Sequence, residues 1–286
     1  MTTPVFEALN KSFPDIQIDA VGDKRSSLLL EPFPYVKNIF NKNKRAGLKE
    51  KFDFIKLLRE IKYDLILDLR TPVLPLFLRG NRKITNYPKQ SKKQHSVHQH
   101  FSVVNKILTD WKNPPSCKLY LSKKAEKAVE LNQDLGSDEE FFVVAPGANW
   151  SEKIWPGVKY GELIRTFLEQ KLTNRVVLLG SDSDAEIDLD LGMSVSNVLD
   201  MRGKTKLLEA ASIMNRAKLF IGNDSGLGHM AASVGCKTLT LFGPGNPQRY
   251  RPWHPGGTVL LAPNSKLKNL PVYDVIKKVK GIMSCG

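Results

Sequence analysis

The chain has 286 residues, of which 41% are hydrophobic and 25% are charged, a composition typical of soluble globular proteins. No stretch approaches the roughly 18 apolar residues of a membrane span, and the start shows no basic segment followed by an apolar one, as an export signal would. The cysteines, Cys117, Cys236 and Cys285, show no paired metal-binding spacing, which suits a reducing compartment. We therefore expect a cytoplasmic protein of one large or two medium domains.

The net charge of +14 is unevenly distributed. Residues 1–137 contain 25 Lys and Arg against 14 Asp and Glu, a net of +11, whereas residues 138–286 contain 18 against 15, a net of +3. A basic half favours an acidic partner such as a phosphorylated substrate or an anionic membrane, although a solubilising surface explains the charge equally well. No nucleic-acid-binding motif accompanies the charge, so we expect no nucleic-acid partner.

The first half of the chain alternates helical and strand patterns. The predicted helices are residues 2–13, 48–61, 72–78, 96–108 and 123–135. The predicted strands are residues 16–21, 64–69 and 82–87. Gly136 is typical of a helix C-terminus, and the charged stretch SDEE that follows predicts a domain boundary after residue 137.

The pattern is sharper in the second half. Its predicted strands are residues 141–147, 175–181, 217–223 and 238–245, and its predicted helices are residues 158–169, 207–216, 226–234 and 272–279. Continuous apolar strands separated by helices indicate parallel sheets covered on both faces. We predict an α/β fold of two doubly wound parallel-sheet domains, residues 1–137 and 138–286.

Ligands bind such folds at the carboxyl ends of the strands, where the second half carries APGANWSEKIWPG, GSDSDAE, GNDSGLGH and FGPGNPQRYRPW. In the third segment a helix begins near Ser225, and its first N–H groups and its dipole favour an anion. The glycines allow a large anion to approach the backbone closely. Helix capping by Asp224 or Ser225 explains one of these residues equally well, but it does not explain His229 in the first turn.

Lys153 lies between two tryptophans in the first of these segments. Taken alone, it is at least as well explained by a stem that packs along apolar surface. Beside a helix-terminus anion site, it provides the counter-charge for a diphosphate. No acidic cluster offers oxygen ligands to Mg²⁺, so we expect no metal and no cofactor, with the lysine and the helix terminus stabilising a leaving diphosphate.

Three segments together, APGANWSEKIWP, FIGNDSGLGHMAASVG and TLTLFGPGNPQRYRPW, resemble glycosyltransferase family 9, the lipopolysaccharide heptosyltransferases. The opening TTPVFEALNKSFPDIQIDAVG resembles the first helix and second strand of that family. The resemblance implies a GT-B fold, with two Rossmann-like domains and a cleft between them. It implies inverting, metal-independent transfer of heptose from ADP-heptose to the phosphorylated lipopolysaccharide core. The donor would bind the C-terminal domain and the acceptor the N-terminal domain, at the anionic cytoplasmic face of the inner membrane.

The resemblance also implies the donor-binding residues. Asn149 and Lys153 match the loop that holds the diphosphate, where Lys153 would stabilise the leaving group. The family's Asp-Thr-Gly-Leu-x-His motif is matched by Asp224, Ser225, Gly226, Leu227, Gly228 and His229. Ser225 replaces the usual threonine and keeps its hydroxyl. The turn at residues 181–184 matches the family's nucleoside contact loosely.

The start of the chain departs from the family pattern. Family members begin with a strand and a Gly-Asp turn whose aspartate is assigned as the general base, whereas Met1-Thr2-Thr3-Pro4 already matches the following helix. We therefore expect the first strand and the general base to be absent, with Asp23 and Asp68 as weak substitutes. The alternatives are a catalytically impaired remnant that binds nucleotide sugar or glycolipid, and a family member using another nucleotide sugar. A dehydrogenase is disfavoured because no Gly-x-Gly-x-x-Gly fingerprint follows a first strand.

Overall fold

The structure, a computed structural model, describes residues 1–43, 45–70, 73–86, 93–108, 110–135 and 140–284. It divides into two compact units, Met1–Tyr120 and Leu121–Gly286. The boundary predicted after residue 137 falls among residues 136–139, outside the described residues. No helix in the described ranges combines the length and the apolar character needed to cross a membrane.

The N-terminal unit contains parallel strand pairs and helices. Its strands are β1 (Ile18–Gly22), β2 (Val36–Asn41), β3 (Tyr63–Asp68) and β4 (Gly80–Thr85). Its helices are α1 (Thr3–Ser12), α2 (Lys24–Ser27), α3 (Leu48–Leu58), α4 (Leu74–Phe77) and α5 (Ser96–Val104). The helix predicted over residues 72–78 is shorter, and residues 71 and 72 lie outside the described ranges.

The strands of this unit form two separate parallel ladders over the described residues, β1 with β2 and β3 with β4. Helices α1 and α5 pack together through Val5, Leu9, Phe101 and Val104, and side chains of β3 join that cluster only partly buried. The sequence did not predict β2, because its residues are at most half-buried and show no clear alternation.

The C-terminal unit has a six-stranded sheet flanked by helices. Its strands are β5 (Phe141–Ala145), β6 (Arg175–Leu178), β7 (Val198–Asp200), β8 (Leu219–Asn223), β9 (Thr238–Phe242) and β10 (Gly257–Leu261). Its helices are α6 (Lys123–Glu130), α7 (Gly157–Glu169), α8 (Asp182–Ala185), α9 (Leu207–Arg216), α10 (Gly226–Ser233), α11 (Pro247–Tyr250) and α12 (Val272–Ser284). Helix α6, predicted in the first half, packs against α9 and belongs to this unit.

The central strands of this sheet are buried on both faces, as their continuous apolar sequences predict. Every residue of β5 is at most 1% exposed. On one face Phe142 meets Phe167 of α7 edge-on, with ring centroids 5.4 Å apart, in a core that includes Trp155 and Tyr160. Val143, which points to the other face, is equally buried. Burial of each such side chain contributes about 1.5–3 kcal/mol to stability. The loops at the ends of these strands are therefore attached to a well-packed sheet.

The strand order β10-β9-β8-β5-β6-β7 fixes where a ligand can bind. The chain runs outward from β5 through β6 to β7, and then returns to the other side of β5 as β8. All pairs are parallel, so β5 and β8 end side by side at the point where the winding reverses, which is the ligand-binding position of doubly wound sheets. The loop after β5 and the turn after β8 therefore become neighbours.

Gly161 in α7 provides a test of this packing. A Cβ added there would lie 1.5 Å from the carbonyl oxygen of Leu189, a backbone atom that cannot rotate away. We expect Gly161→Ala to lower the free energy of unfolding by about 1–3 kcal/mol, despite the higher helix propensity of alanine. A Cβ on Gly281 of α12 would meet nothing within 4 Å, so Gly281→Ala should be neutral or stabilise by up to about 1 kcal/mol. Urea unfolding measures both; equal effects would contradict the packing.

Candidate functional site

The turn between β8 and α10 forms the centre of the candidate site. Ser225 is the N-cap residue, with extended backbone (φ −143°, ψ 173°), and its side chain makes no capping hydrogen bond. Its Oγ is buried and has no hydrogen-bond partner among the described residues, so the structure does not support Ser225 as a side-chain cap. Gly226 is exposed, and a Cβ added there would meet nothing within 4 Å. Space is therefore open beside Gly226 in the first turn of α10, where the N–H groups lack intrahelical partners and favour an anion.

Lys153 reaches this turn from the loop after β5. Its Nζ lies 2.5 Å from Oδ2 of Asp224, and the two side chains are 19% and 8% exposed. The ammonium also lies 5.0 Å from the centroid of the Trp150 ring, a cation–π geometry. An ammonium has three donor protons, so the contact with Asp224 leaves donors for an anion. The structure thus brings Lys153 and Asp224 together, as their positions at neighbouring strand ends predict.

Asn223, the last residue of β8, holds the same two segments in place. Its side chain is fully buried. Its Nδ2 donates to the carbonyl oxygen of Pro146 at 2.6 Å, and its Oδ1 accepts from the backbone N–H of Trp155 at 3.1 Å and from the Tyr160 hydroxyl at 2.9 Å. Burial raises the pKa of Tyr160 well above its ordinary value, which keeps that hydroxyl a donor. One amide therefore fixes both ends of the Lys153 loop against β8.

Asn223 is not among the site residues predicted from the sequence. The signal was present, because a primary amide ends an otherwise apolar strand immediately before the Asp-Ser-Gly turn. Such an amide must satisfy its hydrogen bonds when it is buried, but its partners lie 63 to 77 residues away. Only the fold shows which groups those are.

The turn at residues 181–184 lies against the Lys153 loop. Asp184 Oδ2 accepts from the Ser181 N–H at 2.7 Å and from Ser181 Oγ at 2.8 Å. These two hydrogen bonds stabilise the turn internally. A Cβ added to Gly147 would lie 2.0 Å from Asp184 Oδ1, so the two loops are in contact. Arg202 supports the turn by donating to the carbonyl oxygens of Asp184 and Ile187, each at 2.9 Å. The position suits the predicted nucleoside contact, and that role stays a prediction.

The other predicted donor residues lie on the same loop and the same helix. Asn149 is exposed in the Lys153 loop, and Leu227 and His229 are half-buried in the first turn of α10. Gly228 is buried, and a Cβ there would lie 3.4 Å from Thr240 Oγ1. The FGPGNP segment borders the site, because a Cβ on Gly245 would lie 2.5 Å from Asp224 Oδ2.

A surface pocket of about 500 Å³ lies at the opposite edge of this sheet, before β8 and β9. Its lining includes Lys218, Lys237 and Cys236. Burial raises the pKa of the Cys236 thiol to about 12, so that thiol is not a nucleophile near neutral pH. The pocket contains none of the predicted site residues, and we assign it no role in the chemistry.

Asp23 and Asp68, the two residues predicted as weak substitutes for the general base, make local contacts. Asp23 Oδ1 accepts from the Ser26 N–H at 3.2 Å at the start of α2. Asp68 Oδ1 accepts from the Arg70 N–H at 2.8 Å after β3. Both contacts shape turns at strand ends. The absence of the family's general base stays a prediction, as does the metal-independent mechanism.

Replacing Asn223 tests the link between strand and loop. Asn223→Ala leaves the buried Trp155 N–H, the Tyr160 hydroxyl and the Pro146 carbonyl without their partner, so we expect the free energy of unfolding to fall by about 3 kcal/mol or more. Tyr160→Phe removes one of these hydrogen bonds and should cost about 1 kcal/mol. Chemical denaturation of both variants measures the difference. An Asn223→Ala cost no larger than that of Tyr160→Phe would show that the amide does not join the segments.

The pair between Asp200 and Arg202 predicts a pH dependence. Burial alone would raise the pKa of Asp200, but the hydrogen bonds and charge of Arg202 outweigh it and hold that pKa below its ordinary value. A carboxylate of this kind stabilises the fold above its unfolded pKa of about 3.9 and loses that contribution as pH falls through its folded pKa. Asp200→Asn should therefore destabilise the protein near neutral pH, and the deficit should shrink below about pH 4.

Thermal unfolding across that pH range measures the effect of Asp200→Asn. Asp190→Asn is the matched control, because Asp190 is 68% exposed and lies 3.9 Å from Arg165. An exposed pair of this kind contributes little at any pH. A deficit for Asp200→Asn that is independent of pH would contradict the assignment.

Comparison with known proteins identifies relatives of this chain. The family model of glycosyltransferase family 9 (heptosyltransferase) matches residues 77–280. The chain is 27% identical over 280 residues to lipopolysaccharide heptosyltransferase 3 of Escherichia coli, covering 88% of this chain and 82% of that protein. Two E. coli structures also match: heptosyltransferase WaaC with ADP (TM-score 0.79, 20% identity, 98% and 95% coverage) and ADP-heptose lipopolysaccharide heptosyltransferase II (0.81, 21%, 99% and 94%).

The structural matches confirm the predicted GT-B fold, and the six-stranded parallel sheet of the C-terminal unit agrees with it. The family match covers well over half of the chain and includes the loop of Lys153 and the turn of Asp224. These residues lie at the switch point of the sheet, where a doubly wound fold binds its ligand. The chain therefore belongs to glycosyltransferase family 9, the heptosyltransferases.

Proposed function

We propose that this glycosyltransferase moves heptose from ADP-heptose to the phosphorylated inner core of lipopolysaccharide, at the cytoplasmic face of the inner membrane. The observation that carries the proposal is the Lys153–Asp224 pair beside an open helix N-terminus at the sheet's switch point. The names of the relatives, lipopolysaccharide heptosyltransferase 3 and a heptosyltransferase solved with ADP, support the donor and the acceptor.

The donor diphosphate would lie at the start of α10. The N–H groups of Gly226, Leu227 and Gly228 and the Ser225 hydroxyl supply neutral donors there, and the helix dipole adds favourable potential. Lys153 supplies the full positive charge and forms charge-assisted hydrogen bonds, which are about twice as strong as neutral ones. The adenosine would extend toward the turn at residues 181–184.

The transfer follows from this arrangement. The acceptor hydroxyl oxygen forms a bond to the anomeric carbon of heptose while the bond from that carbon to the diphosphate oxygen breaks, which inverts the configuration. The bonding electrons leave with ADP, and the hydroxyl proton passes to a carboxylate base, for which Asp23 and Asp68 are the substitutes that the sequence offers. Negative charge develops on the diphosphate, where Lys153 and the α10 amides stabilise it without reorganisation.

Asp224 would position Lys153 rather than contact the reacting atoms. Its buried carboxylate holds the ammonium at 2.5 Å, directly beside the start of α10. Removing either partner would leave the other without its counter-charge in a largely buried place, which is strongly destabilising. Tests of binding must therefore separate the loss of the lysine from the exposure of an unpaired aspartate.

The basic N-terminal unit would meet the acidic acceptor. The unit boundary seen in the structure preserves the charge division, because residues 1–120 contain 22 Lys and Arg against 11 Asp and Glu, whereas residues 121–286 contain 21 against 18. The first unit therefore has a net charge of +11 and the second of +3. Such a charge favours encounter with a phosphorylated glycolipid at low salt.

Replacement of Lys153 tests the donor site. We expect Lys153→Met combined with Asp224→Asn to weaken ADP binding at least about tenfold, since a hydrogen bond to a charged group contributes about 1.5–3 kcal/mol. The paired change removes both charges and so avoids an unpaired aspartate. Lys277→Met, at an exposed position in α12, is the control and should leave binding unchanged. Titration calorimetry measures all three proteins, and unaltered ADP affinity in the double variant would reject the site.

The donor and acceptor are tested by assay of the unaltered chain. Thermal shifts with ADP-heptose, ADP-hexose, UDP-sugars and GDP-sugars report binding, because each ligand that binds only the folded state raises stability by RT ln(1 + [L]/Kd). Transfer to phosphorylated core oligosaccharide, followed by mass spectrometry of the product, reports the reaction. A larger shift and faster transfer with a sugar other than heptose would replace the proposed donor.

A further inference from the structure

Exposed apolar side chains cluster on two helices of the N-terminal unit. The cluster, here called the α3–α4 face, consists of Leu48, Phe52, Val73, Leu76 and Phe77, which are 87%, 69%, 55%, 70% and 48% exposed. Single exposed apolar residues are ordinary, but contiguous apolar patches mark sites of interaction with proteins or membranes. Nothing in the chemistry proposed for the C-terminal unit uses this face.

The two helices are neighbours in the fold. Arg59, just after α3, donates from Nη1 to the carbonyl oxygen of Phe77 in α4 at 3.2 Å. Residues on their inner sides pack into one small core, which contains Leu58, Ile66 and Leu78 with Phe54 and Leu74 against it. That core holds both helices in place, so both present their exposed apolar side chains from the same part of the N-terminal unit.

The exposed surface of α3 combines apolar and basic side chains. Leu48, Phe52 and the half-buried Ile55 follow each other at four and three residues, which places them along one stripe. At about 100° per residue, Arg59 falls within that stripe, and Lys56 and Lys49 fall beside it. The stripe thus combines apolar side chains with positive charge.

The acidic residues of α3 lie elsewhere on the helix. Glu50 and Asp53 fall on the side away from the stripe by the same geometry. Glu50 Oε1 accepts from Asn43 Nδ2 at 3.0 Å. Charges of the two signs are thus separated, and the border of the apolar stripe is basic.

We propose that the α3–α4 face docks on an anionic lipid bilayer. Its apolar side chains would enter the boundary between headgroups and acyl chains, and Lys49, Lys56 and Arg59 would contact lipid phosphates. The net charge of +11 on this unit complements such a surface. A second copy of the chain is a poorer occupant, because a symmetric contact would bring the same basic side chains together. The proposal deepens the membrane location in the proposed function and is independent of the donor chemistry.

Vesicle sedimentation with the full chain tests the apolar component. The vesicles contain phosphatidylcholine with about one quarter phosphatidylglycerol and no lipopolysaccharide, and vesicles of phosphatidylcholine alone are the reference. We expect the combined variant Leu48→Ser and Phe52→Ser to bind the anionic vesicles at least about tenfold more weakly. The matched control is Leu131→Ser with Tyr273→Ser, since both residues are 71% exposed in the C-terminal unit; it should bind as the unaltered chain does. All four positions are exposed, and melting curves verify that the variants are folded.

The charge component has its own pair of variants. Lys49→Gln and Lys56→Gln should each lower binding to the anionic vesicles about fivefold, because each basic residue near such a surface contributes about that factor. Lys277→Gln and Lys278→Gln, both exposed in α12, should have no effect. Binding should also fall as salt rises, because screening shortens the range of the attraction.

Three results would overturn the proposal. The first is equal binding to vesicles with and without phosphatidylglycerol, and the second is an equal loss in the control and face variants. The third is a dimer in sedimentation velocity that Leu48→Ser with Phe52→Ser dissociates, which would make the face a contact between copies. ADP affinity measured on the same proteins separates this outcome from the proposed function. Normal vesicle binding without ADP binding would reject only the donor site, and the reverse would reject only the docking face.

Discussion

The candidate site depends on one buried amide. Asn223 ends β8 and joins three pieces of chain: the Pro146 carbonyl after β5, the Trp155 N–H after Lys153, and the Tyr160 hydroxyl in α7. Because it is fully buried, its hydrogen bonds do not compete with water, and each unmet partner would carry the full cost of desolvation. The loop that presents Lys153 is therefore fixed to the strand that leads into α10. The two parts proposed to hold the diphosphate are thus fixed relative to each other.

The charges of the candidate site are also paired within the protein. Asp224 neutralises Lys153 while no anion is bound, and the ammonium retains donors for a diphosphate. Ser225 adds a buried hydroxyl that caps nothing, which is unusual for a serine at the start of a helix. Buried polar groups without partners in a native fold require an explanation, and the proposed contact with a diphosphate oxygen would supply one. Preorganised donors of this kind stabilise the charge that develops on a leaving group.

Much of the C-terminal unit could be predicted from the sequence, because β5 is a continuous apolar run, β8 and β9 are rich in apolar residues, and both faces of all three are buried. β7 and β10 were missed, since edge strands are half-exposed and show neither a long apolar run nor clear alternation. Helix α6 was predicted in the first domain, whereas it packs against α9 in the C-terminal unit. Its own sequence pattern does not indicate which domain it packs against. The meeting of Lys153 with the Asp224 turn followed from parallel strands ending at one edge. The role of Asn223 did not, because hydrogen bonds between distant segments depend on the finished packing.

The most direct test of the central claim compares ADP with AMP. The two ligands share the nucleoside and differ in the terminal phosphate, which the account places against Lys153 and the start of α10. Titration calorimetry should show that the unaltered chain binds ADP at least about tenfold more tightly than AMP, as expected for a charge-assisted hydrogen bond. Most of that preference should disappear when Lys153→Met and Asp224→Asn are combined. A preference for ADP that persists undiminished in the double variant would show that the diphosphate binds elsewhere and would contradict the account.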